Sequence, residues 1–266
     1  MRLLQNGLLL LALVIFSGAV RAQQLGVYPT QLDYNLTAGQ SESKAITLTN
    51  GSTNKVQFRF YLNDWLRDTA GGHIYYRADT LSRSCAKWVT LGKNFVELEP
   101  GQTAQVTVKL TVPESPEAIK QMKWAMLFVE TVEEQNNAVK KNGANINNLL
   151  RIGVHIYQTP PNLTTKKVKV LELSPVPKTV NNYRLTCKNE GDVMLECKSY
   201  VELASLADGK KIKTDPIEFP LFPEQKRYVN FQLPANLPKG KYSALAVVDA
   251  GEDISLEAVE STIEIK

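Results

Sequence analysis

The sequence predicts an all-β chain built as two β-sandwiches in tandem, and three observations carry that expectation. Apolar residues recur at every second position along most of the chain, while helical periodicity is almost absent. Turn signals separate runs of strand length. Two prolines, in Thr159-Pro160-Pro161, break the pattern and stiffen the connection. Counting strand candidates gives about seven on each side of that break, the number expected of immunoglobulin-like sandwiches.

In the first half, Leu25 to Leu36 reads as an opening strand interrupted by Pro29, which suits an edge where a missing amide proton is tolerated. Ala38-Gly39-Gln40 turns the chain, Ile46 and Leu48 face inward, and Asn50-Gly51-Ser52 turns it again. Val56, Phe58, Phe60 and Leu62 then share one face. A looser region, Asp64 to Cys85, precedes the extended runs KWVTL and FVELEP. After the Pro100-Gly101 turn, Ala104, Val106, Val108, Leu110 and Val112 alternate cleanly. Glu114 to Gln121 offers one helical turn. The strand from Trp124 to Val129 is apolar on both faces and therefore buried on both. A polar segment, Gln135 to Asn145, then releases the last strand, in which Leu150, Ile152, Val154 and Ile156 share one face. A long apolar strand at a sheet edge is either covered by its own fold or used on a partner.

The second half gives strand candidates from KKVKVLELSPVP to LEAVESTIEI, separated by short turns. The expected organisation is therefore residues 1–22 as a removable export signal, 23–158 as the first sandwich, 159–161 as a proline-rich linker and 162–266 as the second sandwich. The signal rests on Arg2, the apolar run Leu8 to Phe16 and the small-residue site Val20-Arg21-Ala22. That run is too short to span a bilayer, so the chain is expected to be exported and the mature form to lack a transmembrane segment.

The chain carries a formal net charge of +4, and removing Arg2 and Arg21 with the signal leaves about +2. Such a balance argues against nucleic acid, whose binding needs basic residues concentrated on one face. Among the 3 cysteines, Cys187 and Cys197 flank the turn Asn189-Glu190-Gly191-Asp192 and share inward parity. Two readings stay open for them: a disulfide, or two buried free thiols. Cys85 reads as a small core residue beside Trp88.

The residues do not assemble a recognisable enzyme site. No G-x-S-x-G elbow or Gly-rich phosphate loop occurs. The 2 histidines, His73 in a loop and His155 on a strand, belong to no spaced ligand motif. Asp249, Glu252 and Asp253 read as a solvated turn rather than a calcium site. The expectation is no catalytic residue, no metal and no cofactor.

Taken together, LEPGQTAQVTVKLTVP, KWAMLFVETVEE, the flexible loop and RIGVHIYQTPP resemble the amino-terminal domain of periplasmic pilus-assembly chaperones, and VYPTQLDYNLTAGQSESKAITLTNGS is similar to that family's first two strands. The resemblance covers most of Leu25 to Pro161. It implies two immunoglobulin-like domains, no enzymatic activity, and capture of the protein subunits of a surface appendage or envelope assembly by donation of the last strand of the first domain. Leu150, Ile152, Val154 and Ile156 would then be donor positions. The family holds its partner's terminal carboxylate with an arginine on the first strand and a lysine on the last. Here those places fall on Gln31 and on Val154 or a neighbour, neither cationic, and Arg151 is the nearest substitute although its parity is opposite to the apolar face. A structural or adhesive envelope protein with two spacer domains is the alternative, and a glycan binder using Trp65, Tyr75 and Tyr76 as a stacking platform is a third reading.

Overall fold

The computed structural model describes residues 25–132, 139–141, 144–146 and 149–265. The expected export signal and most of the polar segment Gln135 to Asn145 lie outside the described residues. The first sandwich contains β1 (Leu25–Tyr28), β2 (Gln31–Tyr34), β3 (Ser41–Asn50), β4 (Val56–Arg67), β5 (His73–Arg77), β6 (Val89–Leu91), β7 (Phe95–Leu98), β8 (Thr103–Thr111) and β9 (Lys123–Val132). A small hairpin of β10 (Val139–Lys141) and β11 (Ala144–Ile146) precedes β12 (Arg151–Gln158). The second sandwich contains β13 (Val168–Pro175), β14 (Asn182–Asn189), β15 (Leu195–Ser205), β16 (Lys211–Lys213), β17 (Ile217–Leu221), β18 (Lys226–Gln232), β19 (Gly240–Asp249) and β20 (Glu257–Ile265).

One sheet of the first sandwich runs β1-β3-β8-β6, and the other runs β2-β12-β9-β4-β5 with β7 also on β4. The clean alternation of β8 does what its pattern requires: Val106, Val108 and Leu110 are buried between exposed partners. β9 is buried on both faces because the core lies on one side and an aromatic cluster on the other. The expected helical turn is a short 3₁₀ segment, Pro116–Ile119, whose Ser115 hydroxyl accepts from the Glu117 amide at 3.3 Å.

The opening segment is not one edge strand. It switches sheets at the cis Tyr28–Pro29 peptide: β1 pairs antiparallel with β3, whereas β2 pairs parallel with β12. Proline has no amide proton to give to either ladder, so the break falls where the chain leaves one sheet for the other. The Tyr34 hydroxyl donates to the Val108 carbonyl at 2.7 Å and ties the two sheets together.

The second core lies between a β13-β14-β18 sheet and a β16-β15-β19-β20 sheet with β17 on β15. Cys187 on β14 and Cys197 on β15 face this core from opposite sheets, and Cys85, Cys187 and Cys197 are all free and buried. Of the two readings open for Cys187 and Cys197, this structure holds the pair of buried free thiols. Burial pushes each of these thiols up to about 12.

The β4–β5 turn reaches the second sandwich. Gln225 donates to the Arg67 carbonyl at 2.8 Å, and the Tyr228 amide donates to the Thr69 carbonyl at 2.8 Å. Gly71 adopts φ 96°, a backbone conformation that favours glycine.

Candidate functional site: the half-open edge of β12

β12 is central at one end and an edge at the other. Along its whole length it pairs antiparallel with β9, from Arg151 opposite Glu130 to Gln158 opposite Lys123. On its other side β2 covers only His155 to Gln158. That covered end is clamped: Gln158 donates to the Leu36 carbonyl at 2.6 Å and accepts from the Leu36 amide at 3.3 Å, and the Thr159 amide donates to the Tyr34 carbonyl at 2.9 Å. Among the described residues, no strand covers the other side of Arg151 to Val154.

Alternation fixes which backbone groups are left over. The His155 amide donates to the Thr30 carbonyl at 2.9 Å, so odd-numbered residues of β12 point their N–H and C=O toward the β2 side. The Leu150 carbonyl accepts from the Thr131 amide at 2.9 Å, as even-numbered residues face β9. Arg151 and Gly153 therefore present pairing groups to the open side, the arrangement that recruits an added strand.

The even-numbered side chains form a gradient. Ile156 and Val154 are 0% exposed in the first core, Ile152 is half-buried against it, and Leu150 is 41% exposed. The apolar stripe thus emerges from the sandwich at the open end, with Leu149 beside it at 58%.

The outward face of the same sheet carries its charges in register. Arg59 on β4, Glu130 on β9 and Arg151 on β12 stand in one line across the ladder. Glu130 is buried, and its carboxylate accepts from Arg59, from Arg151 Nε at 2.7 Å and from the Tyr61 hydroxyl at 2.7 Å. The hydrogen bonds from Arg59, then Tyr61 and Arg151, hold its carboxyl down at about 2 against the opposing effect of burial. Arg151, the expected substitute cation, is accordingly ion-paired within its own chain and also lies over the Phe128 ring.

Gln31 stands opposite His155 and donates to both oxygens of Asp33 at 3.0 and 2.9 Å. Beyond it the face becomes aromatic: Trp65, Trp124, Tyr157 and Phe222 of the second sandwich pack together with Met122, Met126 and Phe128. Trp65 is fully buried, which removes it from any exposed stacking platform with Tyr75 and Tyr76. His73, read as a loop residue, instead begins β5, and His155 lies on β12 as expected. Both are half-buried against Trp65, and their Nε2 atoms lie 3.2 Å apart. Burial, then Arg67, lowers the affinity of His73 for a proton; burial, then His73 and Arg67, lowers that of His155 to about 4.

Sequence reasoning missed the Glu130 triad and the histidine pair because both join residues from different strands. A lone acid inside the apolar run of β9 was the one local signal for the first. Among the described residues, no group of three or more His, Cys, Asp or Glu side chains is placed to hold a metal ion, and Asp249 instead accepts from the Gly251 amide at 2.9 Å. No described helix is long and apolar enough to cross a membrane.

No protein-family model matches the sequence, and no curated protein matches it. Among solved structures, a chain from the chaperone–tip adhesin complex of CFA/I fimbriae biogenesis is 12% identical, with a TM-score of 0.50 over 90% of this chain and 98% of that one. The class 5 fimbriae chaperone CfaA is 12% identical at TM-score 0.48, over 90% and 98%. The E. coli chaperone DraB is 16% identical at 0.45, over 91% and 98%. The first of these likenesses gives the fold, two immunoglobulin-like β-sandwiches in tandem.

Proposed function

We propose that this chain is a non-enzymatic assembly chaperone of the periplasm that binds the protein subunits of a surface appendage along the open half of β12. The observation that carries the reading is the change in β12 at His155, from a strand paired on both sides to one whose outer edge no described strand covers and from which an apolar stripe emerges. Main-chain pairing along such an edge supplies affinity, and alternating side-chain contacts supply specificity. No nucleotide is required, because the subunit's own burial of apolar surface drives the step.

Of the four expected donor positions, Leu150 and Ile152 enter the subunit in this reading, while Val154 and Ile156, already buried in this chain's own core, root the strand instead. Arg151 and Gln31 flank the captured segment, Arg151 with its orientation set by Glu130. The periplasmic placement rests on the export signal expected at residues 1–22.

A photo-crosslinking residue at position 150, in tagged protein recovered from its native envelope, tests the proposal. The expected product is a crosslink to an appendage subunit, absent when the same group replaces exposed Lys109 on the opposite sheet. Recovery of no partner, or equal crosslinking from both positions, would overturn it.

A further inference from the structure

The only histidines of the chain, 82 positions apart, meet at the root of the open edge. His73 begins β5, just after the turn held by the second sandwich, and His155 is the residue at which β2 starts to cover β12. Their Nε2 atoms are 3.2 Å apart and their ring centroids 5.4 Å apart, so the two nitrogens point toward each other. Imidazole nitrogen binds a late first-row metal at about 2.0–2.1 Å. An ion placed at that distance from both nitrogens subtends an angle of about 100°, between the square-planar and tetrahedral values.

A thioether lies on the same face of the sheet. Met126 lies directly opposite His155 in the β9–β12 ladder, so both side chains project from the same face of the sheet. Its sulfur leans over Gly153, the next residue of β12 on that face, where a Cβ would lie 2.7 Å from it. Two imidazoles with a neighbouring thioether form a donor set suited to copper, which also leads the divalent series in affinity for nitrogen sites. We infer that His73 and His155, with Met126 in support, form a copper-binding site that links the β4–β5 hairpin to β12. Coordination uses both Nε2 lone pairs. The ring whose Nε2 carries the shared proton moves it to Nδ1, and the pair releases no net proton. The neutral imidazole is the ligating form.

The site does not depend on subunit capture, and its test uses the metal alone. Aqueous Cu²⁺ is titrated into protein purified without a histidine tag, with calorimetry for stoichiometry and electron paramagnetic resonance for the ligands. The wild type should bind one equivalent and show two equatorial imidazole nitrogens. Changes to groups that merely support a metal ligand cost about 10- to 100-fold in affinity, so His73→Gln should weaken binding at least about 10-fold. Met126→Leu should preserve the nitrogen signature while altering the copper hyperfine coupling. Copper should also raise the melting temperature of the wild type and leave that of His73→Gln unchanged. Wild-type protein that binds no stoichiometric Cu²⁺, or a folded His73→Gln variant that binds as tightly with the same spectrum, would overturn the inference.

Discussion

Replacing Glu130 with glutamine removes the one negative charge that Arg59 and Arg151 share and leaves side-chain volume nearly unchanged. The carboxylate is 2% exposed, whereas the two arginine side chains are 58% and 55% exposed. Its carboxyl is held at about 2 instead of the ordinary 4.5, a difference equivalent to roughly 3 kcal/mol. That is an upper bound, because water screens the exposed guanidiniums in either state. We expect a loss of about 1–2 kcal/mol, in the range of charge-assisted hydrogen bonds to a buried acceptor. The sign of the pH dependence follows from the direction of the shift. The folded state depresses the pKa, so the contribution is fully present above the unfolded value near 4.5 and disappears as pH falls toward 2. Urea unfolding of wild type and Glu130→Gln at pH 7, 4 and 2.5 measures the difference. It should be largest at pH 7 and shrink steadily below pH 4.5. A difference that stays constant over that range would refute the assignment of a shared, ionised carboxylate.

Three other outcomes follow from the same geometry. Val154→Asp should unfold the first sandwich, since an unpaired charge in a core costs several kcal/mol, while Leu150→Asp should change stability by no more than about 0.5 kcal/mol; thermal melts giving the reverse order would contradict the gradient along β12. His155 has its proton affinity lowered to about 4 from 6.5, so its contribution to stability is complete above pH 6.5 and lost on acidification through pH 4, and imidazole NMR titration should find it neutral at pH 6. Thiol labelling of folded protein should modify none of Cys85, Cys187 and Cys197, and labelling of unfolded, non-reduced protein should modify all three.

Those features that depend on local alternation were legible in the sequence. Val106, Val108 and Leu110 could be assigned to the core from parity alone, and the doubly apolar β9 announced that both its faces are covered. The stripe Leu150, Ile152, Val154 and Ile156 was equally plain. What parity cannot give is the partner on each side of a strand. β12 reads as an edge strand, but Gln31 to Tyr34, more than a hundred residues earlier, covers one half of it and leaves the other open. The two halves look alike in sequence because the pleat is the same whether or not a neighbour is present. Asp64 to Cys85 reads as a loose region because its charges interrupt the apolar pattern. Its order comes from a buried acid instead: Asp64 accepts from the Thr80 and Leu81 amides at 2.7 and 2.8 Å. Buried polar groups of this kind are satisfied by distant backbone, which leaves no periodic trace.

Amide hydrogen exchange along β12, in free protein and in complex with a captured appendage subunit, tests strand donation most directly. In the free protein the amides of Ile152 and Val154, bonded to β9, should be protected, and those of Arg151 and Gly153, facing the open side, should exchange rapidly. In the complex, Arg151 and Gly153 should become as protected as their neighbours. If a subunit binds and these two amides exchange as fast as before, the subunit is held elsewhere and the open edge of β12 is not its binding site.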